Sequence, residues 1–275
     1  MKSHVLEAKQ VVAGYDGKVI LDQINLRIPS NQITVMIGAN GCGKSTLLKT
    51  LARLIKPISG EILLDGQPIH RIPSKTFAKK VGLLPQSPIV PEGITVADLV
   101  GRGRYPHQSL LGTWSKQDLE AVAEAMEIMN ITDLANRHVD ELSGGQRQRV
   151  WIAMALAQQT DILFLDEPTT FLDIAYQIEI LDLLKDLNLK YGTTIVMVLH
   201  DINLSARYAD YLFALRQGRL IAEGKPSEVL TCPLIKEVFG LDCTIIEDPV
   251  CHCPSVVPIG RYNGCGIDWR QVRAR

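Results

Sequence analysis

The sequence contains no run of 18 or more apolar residues, so nothing in it has the length and character of a membrane-spanning helix. Its first ten residues, MKSHVLEAKQ, lack the long apolar core of a secretory leader. Positive charge is not in excess. The 29 Lys and Arg stand against 30 Asp and Glu, a formal net charge of −1, and no basic footprint marks a nucleic-acid binder. Six cysteines occur, at 42, 232, 243, 251, 253 and 265, yet none is arranged as the C-x₂-C knuckle of structural zinc. The expectation is a cytosolic protein. Its 275 residues suffice for one large α/β domain with a lobe inserted.

What is present is concentrated around residues 33–48, ITVMIGANGCGKSTLL. The apolar run 33–37 predicts a buried strand, and the residues from Thr46 onward predict a helix. Between them, Gly38-Ala39-Asn40-Gly41-Cys42-Gly43-Lys44-Ser45 matches GxxxxGK[ST], the phosphate-cradling P-loop, in the strand–loop–helix setting that it requires. Gly38, Gly41 and Gly43 allow the tight turn that points backbone N–H groups at phosphate oxygens. The helix start adds partial positive charge. Lys44 reaches the β/γ-phosphates, and the Ser45 hydroxyl is a ligand for Mg²⁺.

Residues 5–13 and 20–28 predict two strands joined by a turn at Asp16-Gly17, with Tyr15 presenting an aromatic face beside Gly14. Residues 61–64 predict a further strand. The runs 81–84, 162–165 and 193–199 are apolar on nearly every residue, as in parallel strands buried on both faces. Between the first two of these the character changes. Residues 87–140 read as a helical insertion, including an amphipathic helix over 116–129. Helices are expected over 146–159 and 175–189, and a hairpin around Gln217-Gly218. Gly101-Arg102-Gly103 lacks the setting of a dinucleotide fingerprint and reads as a loop.

The apolar runs end at chemically useful residues. The P-loop, Gln86, Asp166-Glu167 and His200 each follow one of them directly. Ligands of parallel α/β sheets gather beyond the carboxyl ends of the strands. Were these strands parallel neighbours, all four groups would meet. Asp166 suits a second Mg²⁺-organising carboxylate, and Glu167 a base that polarises water for attack on the γ-phosphate. Gln86 can touch both metal and water, and His200 can bond the γ-phosphate. Leu142-Ser143-Gly144-Gly145-Gln146 is a second anion-binding helix start, made from a hydroxyl and free amides. The triphosphate is already held by the P-loop of the same chain, so this second site invites another copy to use it.

In these motifs the chain closely resembles the ATP-binding cassette (ABC) family. Residues 38–46 match its Walker A, 162–167 its Walker B with catalytic Glu167, and 142–146 its LSGGQ signature. Gln86 matches the Q-loop, Phe171-Leu172-Asp173 the D-loop, His200 the switch histidine and Tyr15 the adenine-stacking aromatic. Phe171 replaces a small polar residue or Tyr, while Asp173, which carries communication across the dimer, is retained. The resemblance runs over about 5–241.

The resemblance implies an α/β P-loop NTPase core with a mixed sheet, an antiparallel β subdomain, a helical subdomain inserted at about 87–160, and a C-terminal tail at 242–275. It implies ATP and Mg²⁺ as cofactors, the metal held by Ser45, Gln86 and Asp166. Two copies close head-to-tail, each ATP lying between one P-loop, through Thr46, and the opposite Ser143, Gly144, Gly145 and Gln146. Integral-membrane permease subunits dock near Gln86 and the helical subdomain, at the cytoplasmic face of the membrane. A substrate-binding protein is met only indirectly.

A lone cassette favours importers. Residues 95–100 with 103–107 resemble the ATPases of iron-siderophore, haem and cobalamin importers, and the tail around 248–261 the ferric-siderophore branch. A haem or cobalamin importer ATPase is the alternative. From another class comes a soluble ATP-dependent regulatory switch with a cysteine-rich sensor tail. A GTPase is disfavoured, because no Asn-Lys-x-Asp guanine-reading motif is present. Cys243, Cys251, Cys253 and Cys265 are expected to be unligated, on an irregular tail. Cys42, beside the phosphates, is expected to be open to alkylation.

Overall fold

The computed structural model describes residues 3–86, 90, 92–108, 113–170 and 172–260. The chain opens with an antiparallel hairpin, β1 (Leu6–Tyr15) and β2 (Lys18–Ile28). Asp16 and Gly17 turn it with φ of 50° and 78°, the left-handed conformations that a two-residue Asp-Gly turn needs. Next come β3 (Ile33–Ile37), α1 (Lys44–Leu51), β4 (Ser59–Leu64), β5 (Gln67–Pro68), α2 (Ser74–Ala78) and β6 (Val81–Leu84). β4 returns to pair with β1, giving an antiparallel sheet in the order β2-β1-β4-β5.

A helical lobe follows: α3 (Val96–Gly101), α4 (Lys116–Ile128) and α5 (Gly144–Ala157). α4 begins with a capping box in which the Ser115 hydroxyl accepts from Asp118 N while the Asp118 carboxylate accepts from Ser115 N. Arg104, just after α3, clasps the lobe from inside. Its Nε donates to Asp118 Oδ1 at 2.8 Å and its Nη1 to the Ala157 carbonyl at 2.7 Å.

The chain then re-enters the core as β7 (Ile162–Asp166), α6 (Ile174–Tyr191), β8 (Thr194–Val198), α7 (Ile202–Tyr208), β9 (Tyr211–Arg216) and β10 (Arg219–Gly224). The central sheet has the order β10-β9-β3-β8-β7-β6. β9, β3, β8, β7 and β6 are parallel, and β10 closes one edge antiparallel. β3, β7 and β8 are buried at every residue. Strand alternation therefore feeds two cores. In β7, Leu163 and Leu165 face the apolar layer shared with the helical lobe, whereas Ile162 and Phe164 face the layer shared with α1 and the antiparallel sheet.

The last part of the described chain is α8 (Pro226–Val229), α9 (Cys232–Phe239), β11 (Cys243–Glu247) and β12 (Pro254–Pro258). The expectation of an irregular tail is corrected here. β11 and β12 form an antiparallel hairpin, Cys243 opposite Pro258 and Glu247 opposite Pro254. Two prolines are tolerated because they sit at the ends of an edge strand. Asn203 of α7 ties the hairpin down, accepting from Val256 N at 2.8 Å and donating to Val256 O at 3.3 Å. Cys251 and Cys253, in the turn between these strands, are joined to each other as a disulfide. Cys243 is a buried free thiol, and Cys265 lies outside the described residues. Among the described residues, no helix is long and apolar enough to cross a membrane.

Candidate nucleotide site

The parallel sheet brings the predicted groups together. β3 delivers the P-loop, β6 delivers Gln86, β7 delivers Asp166 and Glu167, and β8 delivers His200, all at strand carboxyl ends. A cleft of about 320 Å³ is lined by Asn40, Gly41, Gly43, Lys44, Ser45, Gln86, Glu167 and His200.

The loop's path depends on glycine. Gly38 has φ +152°, and a Cβ there would stand 2.4 Å from the Leu215 carbonyl oxygen. Gly43 has φ +107° and caps α1 in the left-handed conformation. Both positions exclude larger residues on conformation alone. Lys44 is 5% exposed and curls over the loop, its Nζ donating to Gly38 O at 2.7 Å and Ala39 O at 3.2 Å. Thr46 is buried in α1. Cys42 is buried too, with Sγ 4.0 Å from the Lys44 Nζ, and burial pushes its thiol above the usual range. A neutral, inward-facing thiol is a poor nucleophile, which argues against the alkylation expected of it.

Ser45 Oγ donates to Asp166 Oδ1 at 2.8 Å. Asp166 is 1% exposed, and its Oδ2 has no hydrogen-bond partner. Burial raises the Asp166 carboxyl above the ordinary value, against the opposing effect of Ser45. A buried carboxylate oxygen without a partner, on a carboxylate already bonded to a serine hydroxyl, is an oxygen donor set suited to a hard divalent cation.

Glu167 sits at the centre. Its φ is +55°, an uncommon conformation for a non-glycine residue. His200 Nε2 stands 2.7 Å from Oε1, and Gln86 Nε2 donates to Oε2 at 2.5 Å. A second donor, the Thr170 hydroxyl, reaches the same Oε2 at 3.0 Å. The motif reading passes over Thr170. The only signal for it in the sequence is a hydroxyl residue three positions after a loop carboxylate.

Other predicted residues lie outside the walls of this cleft. Tyr15 is 46% exposed at the tip of the β1–β2 hairpin, while Leu21 of β2 packs over Gly43. Ser143 caps α5, accepting from Gln146 N at 3.3 Å while Gln146 Oε1 accepts from Ser143 N at 3.1 Å. Ser143 and Gly144 are exposed, and Gly145 is buried against Tyr176. Asp173 caps α6 through Tyr176 N at 3.0 Å. Phe171 lies outside the described residues.

A glycine loop between a buried parallel strand and a helix, with a lysine, a hydroxyl and two acidic residues at the carboxyl end of β7, one strand removed in the same sheet, defines a P-loop nucleotide-hydrolysing protein. The family model described as ABC transporter matches residues 21–170, more than half of the chain. The chain belongs to the ABC transporter family and is an ATP-binding, ATP-hydrolysing subunit. It is 52% identical to the ferric enterobactin transport ATP-binding protein FepC of Escherichia coli K12, covering 93% of this chain and 94% of that one. It is 51% identical to the achromobactin transport ATP-binding protein CbrD of Dickeya dadantii strain 3937, covering 93% and 95%. Its structure resembles that of the ATP-binding cassette MJ0796, a dimer in a post-hydrolysis state bound to ADP and Pi. The TM-score is 0.70 and the identity 31%, covering 80% of this chain and 98% of that one.

Proposed function

We propose that this chain powers an importer of iron(III)-siderophore complexes. It would work as a homodimer at the cytoplasmic face of the membrane against permease subunits. The names of its full-length relatives FepC and CbrD support the cargo class. Exposed Tyr105, 79% accessible, and Trp114, 48% accessible, give the helical lobe an aromatic surface for the permease.

The hydrolytic part of the reading is carried by one observation. The Glu167 carboxylate, 10% exposed, faces the P-loop cleft with His200 against one oxygen and Gln86 donating to the other. ATP phosphates take the loop amides and the α1 N-terminus, and the Lys44 ammonium turns from the Gly38 and Ala39 carbonyls to the phosphate oxygens. Tyr15 stacks on adenine. Ser45, Asp166 and Gln86 would hold Mg²⁺, which supplies neutralising charge at the phosphates when bound. Glu167 accepts the proton of the attacking water, and His200 orients it and donates to the γ-phosphate. Ser143, Gly144, Gly145 and Gln146 of the second copy complete the site. The Ser143 cap uses only an acceptor lone pair of its hydroxyl, leaving the O–H to donate to phosphate. Asp173 relays closure between the two sites.

Glu167→Gln keeps the size and shape, exchanges one acceptor oxygen for an amide donor and removes the base. It is expected to bind ATP normally and hydrolyse it about 10²- to 10⁴-fold more slowly, measured by phosphate release. Normal turnover in that variant overturns the assignment. Uptake of labelled ferric siderophores, haem and cobalamin in cells lacking the chain tests the cargo. Loss of haem or cobalamin uptake alone would reject the siderophore reading.

A further inference from the structure

Three side chains meet on the Glu167 carboxylate, Gln86 and Thr170 by hydrogen bonds and His200 by close contact, and they differ in what else they have to do. Gln86 approaches from the end of β6 and His200 from the end of β8, each on a separate strand of the central sheet. Both line the phosphate cleft, and both have a competing partner once nucleotide and ion arrive. When Gln86 turns its side chain to the ion, Oε2 loses one of its two donors. Thr170 is different. It lies three residues after Glu167 on the same loop, and its backbone N–H donates to the Glu167 carbonyl at 3.3 Å. Its hydroxyl donates to Oε2 at 3.0 Å, closing a side-chain link parallel to the backbone turn. Thr170 is not among the residues that line the cleft. The loop also holds Glu167 at φ +55°, a conformation that needs support from its surroundings.

We propose that Thr170 is a positioning residue for hydrolysis: its hydroxyl keeps the Glu167 carboxylate aimed into the cleft when Gln86 and His200 engage the ion and the γ-phosphate. This rests on Glu167 being the base. The hydroxyl acts on the chemical step through Glu167 and makes no contact with nucleotide, so its loss leaves ATP binding intact.

The test compares Thr170→Val, which removes the donor and keeps the branched shape, with Thr170→Ser, which keeps the donor. Steady-state ATPase assays and nucleotide-binding titrations are run on the full chain, with Glu167→Gln beside them. Thr170→Val is expected to lower kcat about tenfold with KM for ATP within about twofold. Thr170→Ser is expected to recover kcat to within about twofold of wild type. A merely structural role would instead lower ATP binding and thermal stability together and would not be rescued by serine. Wild-type kcat in Thr170→Val, or a serine variant no better than the valine one, overturns the proposal. If Thr170→Val fails to fold, Thr170→Ala replaces it in the same comparison, and a folded variant that no longer binds ATP overturns the proposal. Normal turnover in Glu167→Gln would instead reject Glu167 as the base. An inactive Glu167→Gln beside an unaffected Thr170→Val rejects Thr170 alone.

Discussion

Asp166 carries two opposed demands. Oδ1 is satisfied by Ser45, while Oδ2 is buried without a partner. An unsatisfied buried acceptor costs about 1–3 kcal/mol, so the residue is poorly suited to a purely structural task and well suited to meeting a cation. Asp166→Asn retains an acceptor for Ser45 and loses the charge. It is expected to fold, yet to gain no thermal stabilisation from Mg²⁺ with ATP. Wild type should gain about 2.7 kcal/mol at a hundredfold excess over Kd, and chelating the ion should abolish that gain. Thermal melts with and without chelator measure both. At this scale the sequence was a good guide wherever a residue closes an apolar run. Gln86, Asp166 and His200 could be located because burial on both faces makes strand ends visible. Thr170 could not, because its partner is chosen by the path of a short loop, and no periodicity reports that path.

At the level of elements, the helical lobe depends on an inward-facing ion pair. Arg104 and Asp118 are each 3% exposed. The Ser115 hydroxyl and then the Arg104 guanidinium hold the Asp118 carboxyl at about 2, below its ordinary 3.8. Because the folded value is depressed, the contribution to stability is present above about pH 4 and is lost as pH falls towards about 2. The difference in denaturant midpoint between wild type and Asp118→Asn is therefore expected to shrink across that window. Arg104→Ala at neutral pH strands the carboxylate and removes a donor from the Ala157 carbonyl. It is expected to cost about 3 kcal/mol, read from denaturant unfolding. The lobe's main helix was legible from its apolar spacing, because α4 presents one face to the core. The β11–β12 hairpin was not. Its strands are only half-buried, its outer strand begins and ends in proline, and its anchor is Asn203, a residue about fifty positions upstream.

At the scale of the whole molecule, the P-loop cleft and the exposed Ser143-Gly144 helix start are two half-sites on one chain. Gly144 has open space around its Cβ position, so Gly144→Asp is accommodated within the chain while placing a negative charge where the proposed partner's phosphate would come. Lys44→Ala spoils the other half. Each variant alone is expected to be inactive. Mixed in equal amounts, they should regain about a quarter of the wild-type rate, since half of randomly paired dimers carry one intact composite site. Phosphate release from the mixture measures this, and no recovery would mean that the two halves do not come from different chains.

The order of strands in the central sheet also governs how the molecule is made. β3, which carries the P-loop, pairs only with β8 and β9, so it has no sheet neighbour until the chain has passed Thr194. That is about 160 residues after β3 ends at Ile37. At ribosomal speeds of about 5–20 residues per second, the strand waits on the order of ten to thirty seconds with both edges open. During synthesis the antiparallel hairpin and β4 can assemble early, and then the helical lobe. The nucleotide loop becomes rigid only near the end, when the distant strands arrive and enclose it.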